Sequence, residues 1–275
     1  MDLATVLGHN FMSGTLPGQK LALLLSHGLI DHGPLICDIV GRILCSSPST
    51  VGDTSKLENT NTRSCLFFAL QRAANIYERS LGSTSQRFLK NHHSVQYFDL
   101  SVWLKSKFLE RDSTESNFGP CSQISVDLCT HLADQIFEFL QKHSGTDEIL
   151  TVIFDDITIL VDLGIPLGDI HRLLFSVIPL GDDKQLNVQI ILGCHVGELF
   201  DGALTSASDP SFAHWIDLLH SRADWVIESR PLATGYITAL DGEVSCLPFD
   251  FFHSTCSSIS DNPFTRALAK CFGRS

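Results

Sequence analysis

The sequence predicts an α/β domain with a mostly parallel central sheet, helices on both faces and an antiparallel hairpin edge at its C-terminal end. Three observations predict it. Short, nearly unbroken apolar runs recur, as in strands that are covered on both sides. Segments with apolar residues at helical spacing lie between them. Past the last helical pattern, GYITAL and EVSCLPF flank Asp241-Gly242, a strong two-residue hairpin signal.

Residues 20–26 (KLALLLS) read as a short, fully buried strand. Leu35, Ile36, Ile39, Val40, Ile43 and Leu44 then keep one helical face apolar. Pro34 suits the first helical position, where no N–H is needed for the ladder. Residues 46–62 are rich in Ser, Thr and Asn and read as a surface loop. A strand is expected at 64–70, a helix near 72–81, a strand at 95–100 and a polar loop at 111–123. VDLCTHLADQIFEFL (126–140) reads as an amphipathic helix, and LTVIFDD (150–156) as an apolar strand ending in two acids.

Residues 168–178 carry apolar side chains at 170, 173, 174, 177 and 178, the spacing of a helix packed on a sheet. Residues 187–195 read as another buried strand. Asp209-Pro210 resembles an N-cap followed by proline at the first helical position. Phe212, Trp215, Ile216 and Leu219 continue that helix on one face, and WVIES follows as a strand. No internal repeat or linker divides the chain. Residues 1–275 are read as a single domain, with 46–62 and 111–123 as loops and 254–275 as a C-terminal tail.

A chain of 275 residues that is 44% hydrophobic and 18% charged buries a sizeable core. Its formal net charge of −12 argues against a free-standing nucleic-acid binder, because phosphate neutralisation supplies most of such a protein's affinity. The nine cysteines are odd in number and form no CxxC pair. With no secretory signal, they read as reduced thiols in the cytoplasm or nucleus. No uncharged apolar run approaches the ~20 residues that a membrane span needs.

LLLSHGLIDHGPLICDIV (23–40) raises the functional question. A strand, a loop with Gly28 and Gly33, and a helix have the layout of a phosphate-binding loop, Gly-x-x-x-x-Gly-Lys-Ser/Thr. Pro34 stands where the lysine belongs and also removes a backbone donor. Leu35 stands where a hydroxyl would hold magnesium, and Asp31 brings negative charge to a loop meant for an anion. The alternative is an ordinary strand-to-helix turn whose glycines happen to have this spacing. Asp155 and Asp156 end the largely apolar strand Leu150–Phe154, as does the acid that holds magnesium through water in nucleotide hydrolases. Taken alone, they are two solvated acids at a strand end. Taken with the loop, they suggest a RecA-like frame with an emptied nucleotide pocket, which implies no cofactor, no bound metal and no catalytic residue.

Other candidates are weaker. Gly193-Cys194-His195-Val196-Gly197 has the glycine frame of a nucleophile elbow, but His195 stands at its centre instead of serine. Cys194 beside it is a conceivable thiol nucleophile, although a buried strand cysteine is the simpler reading. His92-His93, and Cys121, Cys129 and His131, lack zinc-site spacing. Asp182-Asp183 after Gly181 reads as a turn. Arg79, Arg87, Lys90, Lys105 and Lys107 are the local basic candidates, more simply read as a solvated face.

Two stretches resemble one family. TVIFDDITILVDLGIP (151–166) is similar to the strand, acid pair and following segment of the Elongator complex protein 6 family. RADWVIESRPLATGYITALDGEV (222–244) resembles its strand, Pro-Leu-x-Thr-Gly turn and hairpin. The resemblance implies a RecA-like subunit without nucleotide chemistry of its own. It implies a hetero-hexameric ring with Elongator proteins 4 and 5, associated with the catalytic Elongator subunits. The ring would support tRNA binding and wobble-uridine modification. Two other functions stay open on the residues alone: an NTPase with an unconventional loop that takes its lysine from elsewhere, and an α/β hydrolase.

Overall fold

A computed structural model describes residues 21–27, 33–45, 63–85, 94–112, 121–143, 149–183, 187–196, 210–230 and 243–248. In chain order the elements are β1 (Leu21–His27), α1 (Gly33–Cys45), β2 (Arg63–Ala69), α2 (Ala74–Ser85), β3 (Ser94–Asp99), α3 (Leu100–Asp112) and α4 (Cys121–Lys142). They continue as β4 (Ile149–Phe154), α5 (Thr158–Asp162), α6 (Leu167–Asp183), β5 (Asn187–Val196), α7 (Pro210–Arg222), β6 (Trp225–Arg230) and β7 (Glu243–Pro248).

The strands form one seven-stranded sheet in the order β3-β2-β4-β5-β1-β6-β7. Every pair is parallel except β6 with β7, which runs antiparallel from Trp225 opposite Pro248 to Arg230 opposite Glu243. The α/β class, the parallel sheet and the antiparallel C-terminal edge are therefore as the sequence predicts. The hairpin strand GYITAL and Asp241-Gly242 lie outside the described residues. The strand that β7 pairs with is β6.

Side chains alternate across the sheet because the strand period is two. Leu23, Leu66, Val152 and Leu192 point to one face, where α3, α4, α5, α6 and α7 cover them with Trp103, Leu132, Leu160, Leu174 and Leu219. Leu24, Phe67, Ile153 and Ile227 point to the other, under Ile36 and Ile39 of α1 and Tyr77 and Leu81 of α2. Burial on both faces explains why β1 and β4 read as unbroken apolar runs. At the start of β1, the Leu21 amide donates to Asp224 Oδ2 at 2.8 Å. The Asp224 amide donates back to the Leu21 carbonyl at 2.9 Å, which ties the end of α7 to the central strand.

Two expectations are corrected. Helix α3 begins directly after β3 and reaches Asp112, and α4 begins at Cys121, so helices take both ends of the loop expected at 111–123. Its middle, 113–120, lies outside the described residues, as do 46–62 and the tail at 254–275. Gly181-Asp182-Asp183 is no free-standing turn, because α6 continues through Asp183.

Candidate functional site

Ligands of open parallel sheets bind outside the carboxyl ends of the strands, where the connections leave toward opposite faces. Three such places exist among the described residues, one of them between β3, followed by α3, and β2, followed by α2. The connection from β1 leaves through α1 on one face while that from β5 leaves through α7 on the other. The same holds for β2, followed by α2, and β4, followed by α5 and α6. The two acids lie between the latter two places, directly after β4.

Asp155 is 0% exposed. Its Oδ1 accepts the Leu70 amide at 2.7 Å and the Asp156 amide at 2.7 Å. The Gln71 amide donates to Oδ1 at 3.2 Å and to Oδ2 at 3.1 Å. The Tyr77 hydroxyl donates to Oδ2 at 2.8 Å. A carboxylate has about four lone-pair sites, and these donors match them. Its own amide donates to the Phe68 carbonyl at 3.2 Å. Asp155 thus clamps the exit of β2 and the first turns of α2 against the end of β4. Burial pushes its carboxyl up to about 6, against the opposing pull of the bonds from Leu70, Tyr77, Gln71 and Asp156. Burial and the Asp155 charge both raise the Tyr77 phenol.

Asp156 faces the other strand junction. Its Oδ1 accepts the Thr158 amide at 3.0 Å, an Asx turn. Its Oδ2 lies 2.8 Å from His195 Nδ1. The Thr158 hydroxyl accepts the His195 amide at 2.9 Å. The Ile157 amide donates to the Gly193 carbonyl at 2.8 Å, so the pairing of β4 with β5 continues past the last strand residue. The Asp156–His195 pair joins these two strand ends.

The remaining candidates do not converge. Gly33 and Pro34 open α1, and Leu35 packs against the core that α1 and α2 share. Gly28 and Asp31 lie outside the described residues. His195 sits within β5, not on the strand-to-helix turn that an elbow needs. Cys194 is buried in the core, and burial, with the Asp156 charge, pushes its thiol well up. Both findings count against a nucleophile there. Cys129 is half-buried, and His131 stacks beside Phe98 and Trp103. Cys121 opens α4, and His92-His93 lie outside the described residues. Among the described residues no group of three or more His, Cys, Asp or Glu is placed to hold a metal ion.

Of the basic candidates, Arg79 is on α2 and Lys105 and Lys107 are on α3, helices that cover opposite faces of the sheet. Lys107 Nζ stands 5.9 Å over the Trp103 ring. Arg87 and Lys90 lie outside the described residues. No helix among the described residues is long and apolar enough to cross a membrane.

Sequence reasoning missed Tyr77 and Thr158. Thr158 carried a signal, because Asp-x-Thr is a common Asx-turn pattern. Tyr77 carried none, since only the packing of α2 on the sheet brings its hydroxyl to Asp155.

One strand, β5, separates the strand that enters the glycine loop from the strand that ends in the acids, and the chain closes on an antiparallel edge. This is a RecA-like α/β frame. No protein-family model matches the chain, and no curated protein matches it. Solved structures do. A KaiC-like protein of Pyrococcus horikoshii is 12% identical, with 82% of this chain and 77% of that one covered, at a TM-score of 0.40. An uncharacterised protein of Pyrococcus horikoshii, solved with an unknown peptide, is 12% identical over 86% of this chain and 85% of that one, at 0.45. An ATP synthase subunit of Nanoarcheaum equitans is 9% identical over 78% of this chain and 46% of that one, at 0.40. The frame is read from the strand order and register, not from these likenesses.

Proposed function

We propose that this chain is a non-catalytic RecA-like subunit whose task is assembly. In this reading it joins Elongator proteins 4 and 5 in a hetero-hexameric ring that serves the catalytic Elongator subunits. The ring binds tRNA and supports modification of its wobble uridine in the cytoplasm or nucleus. The membership rests on the resemblance at 151–166 and 222–244.

One observation carries the non-catalytic part. An acid that holds magnesium through water needs a lone pair directed into the pocket. Asp155 is buried, and backbone amides and the Tyr77 hydroxyl occupy its oxygens. Pro34 and Leu35 support the same reading, since neither supplies the cation or hydroxyl of a phosphate-binding loop. The net charge of −12 suits a reading in which the grip on tRNA comes from the assembled ring and its partners.

Native mass spectrometry of the tagged chain, purified gently from its own cells, tests the assembly. Two related RecA-like chains in a hexamer are expected, and a lone monomer without them overturns the reading. The purified chain is also expected to turn over no ATP. Turnover that Asp155→Ala abolishes would make it an unconventional NTPase instead.

A further inference from the structure

Strand β3 ends the sheet, and among the described residues no strand pairs with its other side. Its outward N–H and C=O groups are therefore open to a further strand. Protein edges of this kind are normally blunted by proline, lysine or a bulge. The six residues of β3, SVQYFD, include no proline and no lysine. Their register with β2 runs unbroken from Ser64 opposite Ser94 to Ala69 opposite Asp99, so no bulge turns the edge away.

Exposed apolar side chains gather at the same edge. Asp99 accepts the Ala74 amide at 2.7 Å and the Val102 amide at 3.2 Å, and so fixes the first turns of α2 and α3 at the end of the strand. In those turns Ile76 is 46% exposed and Val102 is 63% exposed. Leu109, 61% exposed, shares the outer side of α3 with Val102 at helical spacing. Exposed Lys105 lies between them along the helix.

The edge and its rim define what fits there. A row of unpaired backbone groups is matched by the backbone of another strand. A second copy of this chain fits poorly. Two β3 strands paired about a two-fold would bring α3 beside α3 and Lys105 beside Lys105, and each copy carries a net charge of −12. An extended segment of a different chain fits, if it is apolar against Val102 and Leu109 and acidic against Lys105.

We propose that β3 is a joining edge of this subunit, to which a neighbouring, different subunit adds an extended apolar segment with an acid beside Lys105. The proposal rests on the ring assembly above and names one surface that the ring uses.

Hydrogen–deuterium exchange of the full chain, alone and within the ring purified from its own cells, tests it. The β3 amides that face away from β2 are expected to exchange fast in the chain alone and at least about tenfold more slowly in the ring. Lys105→Glu with Leu109→Gln, at two exposed positions, is expected to leave the urea midpoint of the lone chain unchanged. The same double variant is expected to lower recovery in the ring by about tenfold. A ring whose outward β3 amides stay unprotected, a ring that takes up the double variant as readily, or equal β3 protection in a homodimer overturns this proposal while leaving the ring assembly intact. A chain that joins no related RecA-like partner overturns both.

Discussion

At the scale of single residues, burying Asp155 as a carboxylate is unfavourable, and its donors offset that cost. Asp155→Ala leaves the Leu70 and Gln71 amides and the Tyr77 hydroxyl without their acceptor. We expect it to lower stability by more than about 3 kcal/mol in urea denaturation. The pH dependence has a definite sign. The folded carboxyl is raised from 3.8 to about 6, so the folded state holds the proton more tightly than the unfolded chain. This group's contribution therefore becomes more favourable as pH falls from about 6 toward 4, by ~3 kcal/mol at most. The stability difference between wild type and Asp155→Asn is expected to vary over that window, and a constant difference contradicts the assignment. Thr151 makes the opposite point. It is buried between Cys65 and Gln189 of the adjacent strands, and its hydroxyl has no hydrogen-bond partner among the described residues. Thr151→Val is expected to stabilise the chain by roughly 1 kcal/mol, read as a raised urea midpoint.

At the scale of elements, Asp99 explains the helix that the sequence reading overlooked. The last residue of β3, it accepts the Ser101 amide at 2.9 Å, the Ser101 hydroxyl at 2.6 Å and the Val102 amide at 3.2 Å, and so caps α3. Its other oxygen accepts the Ala74 amide at 2.7 Å, at the start of α2. One carboxylate therefore serves two helices on opposite faces of the sheet. Burial works against its charge, but the bonds from Ser101, Ala74 and Val102 outweigh it and lower its pKa. Its contribution is present at neutral pH and lost as pH falls through the lowered value, the reverse of Asp155. Asp99→Ala is expected to cost about 2 kcal/mol at pH 7, and less in acid. Equal costs at both pH values would remove the charge from the explanation. The signal for α3 was in the chain: Asp99 before Leu100, Trp103 and Leu104 is a cap ahead of an apolar i, i+3, i+4 set.

At the scale of the whole molecule, both ends of the sheet carry a spectroscopic probe. Trp103 lies on α3 toward the β3 edge, while Trp215 on α7 and Trp225 on β6 report from the other side. One continuous sheet with shared cores predicts one cooperative unit. Urea transitions followed by the fluorescence of a Trp103-only chain and by that of a Trp103→Phe chain are expected to coincide. Separate midpoints would divide the sheet into two folding units.

The sequence by itself determined the α/β class and the strands. Burial on both faces leaves unbroken apolar runs, and helices on a sheet leave a 3.6-residue period. It also located the acid pair and the departures at Pro34 and Leu35, because these are facts of residue type and spacing. Only the tertiary structure decided what the acids touch. Tyr77 stands far from Asp155 along the chain, and His195 far from Asp156, yet parallel pairing brings them within hydrogen-bond distance. No local pattern encodes those partners, since they depend on which strands lie side by side.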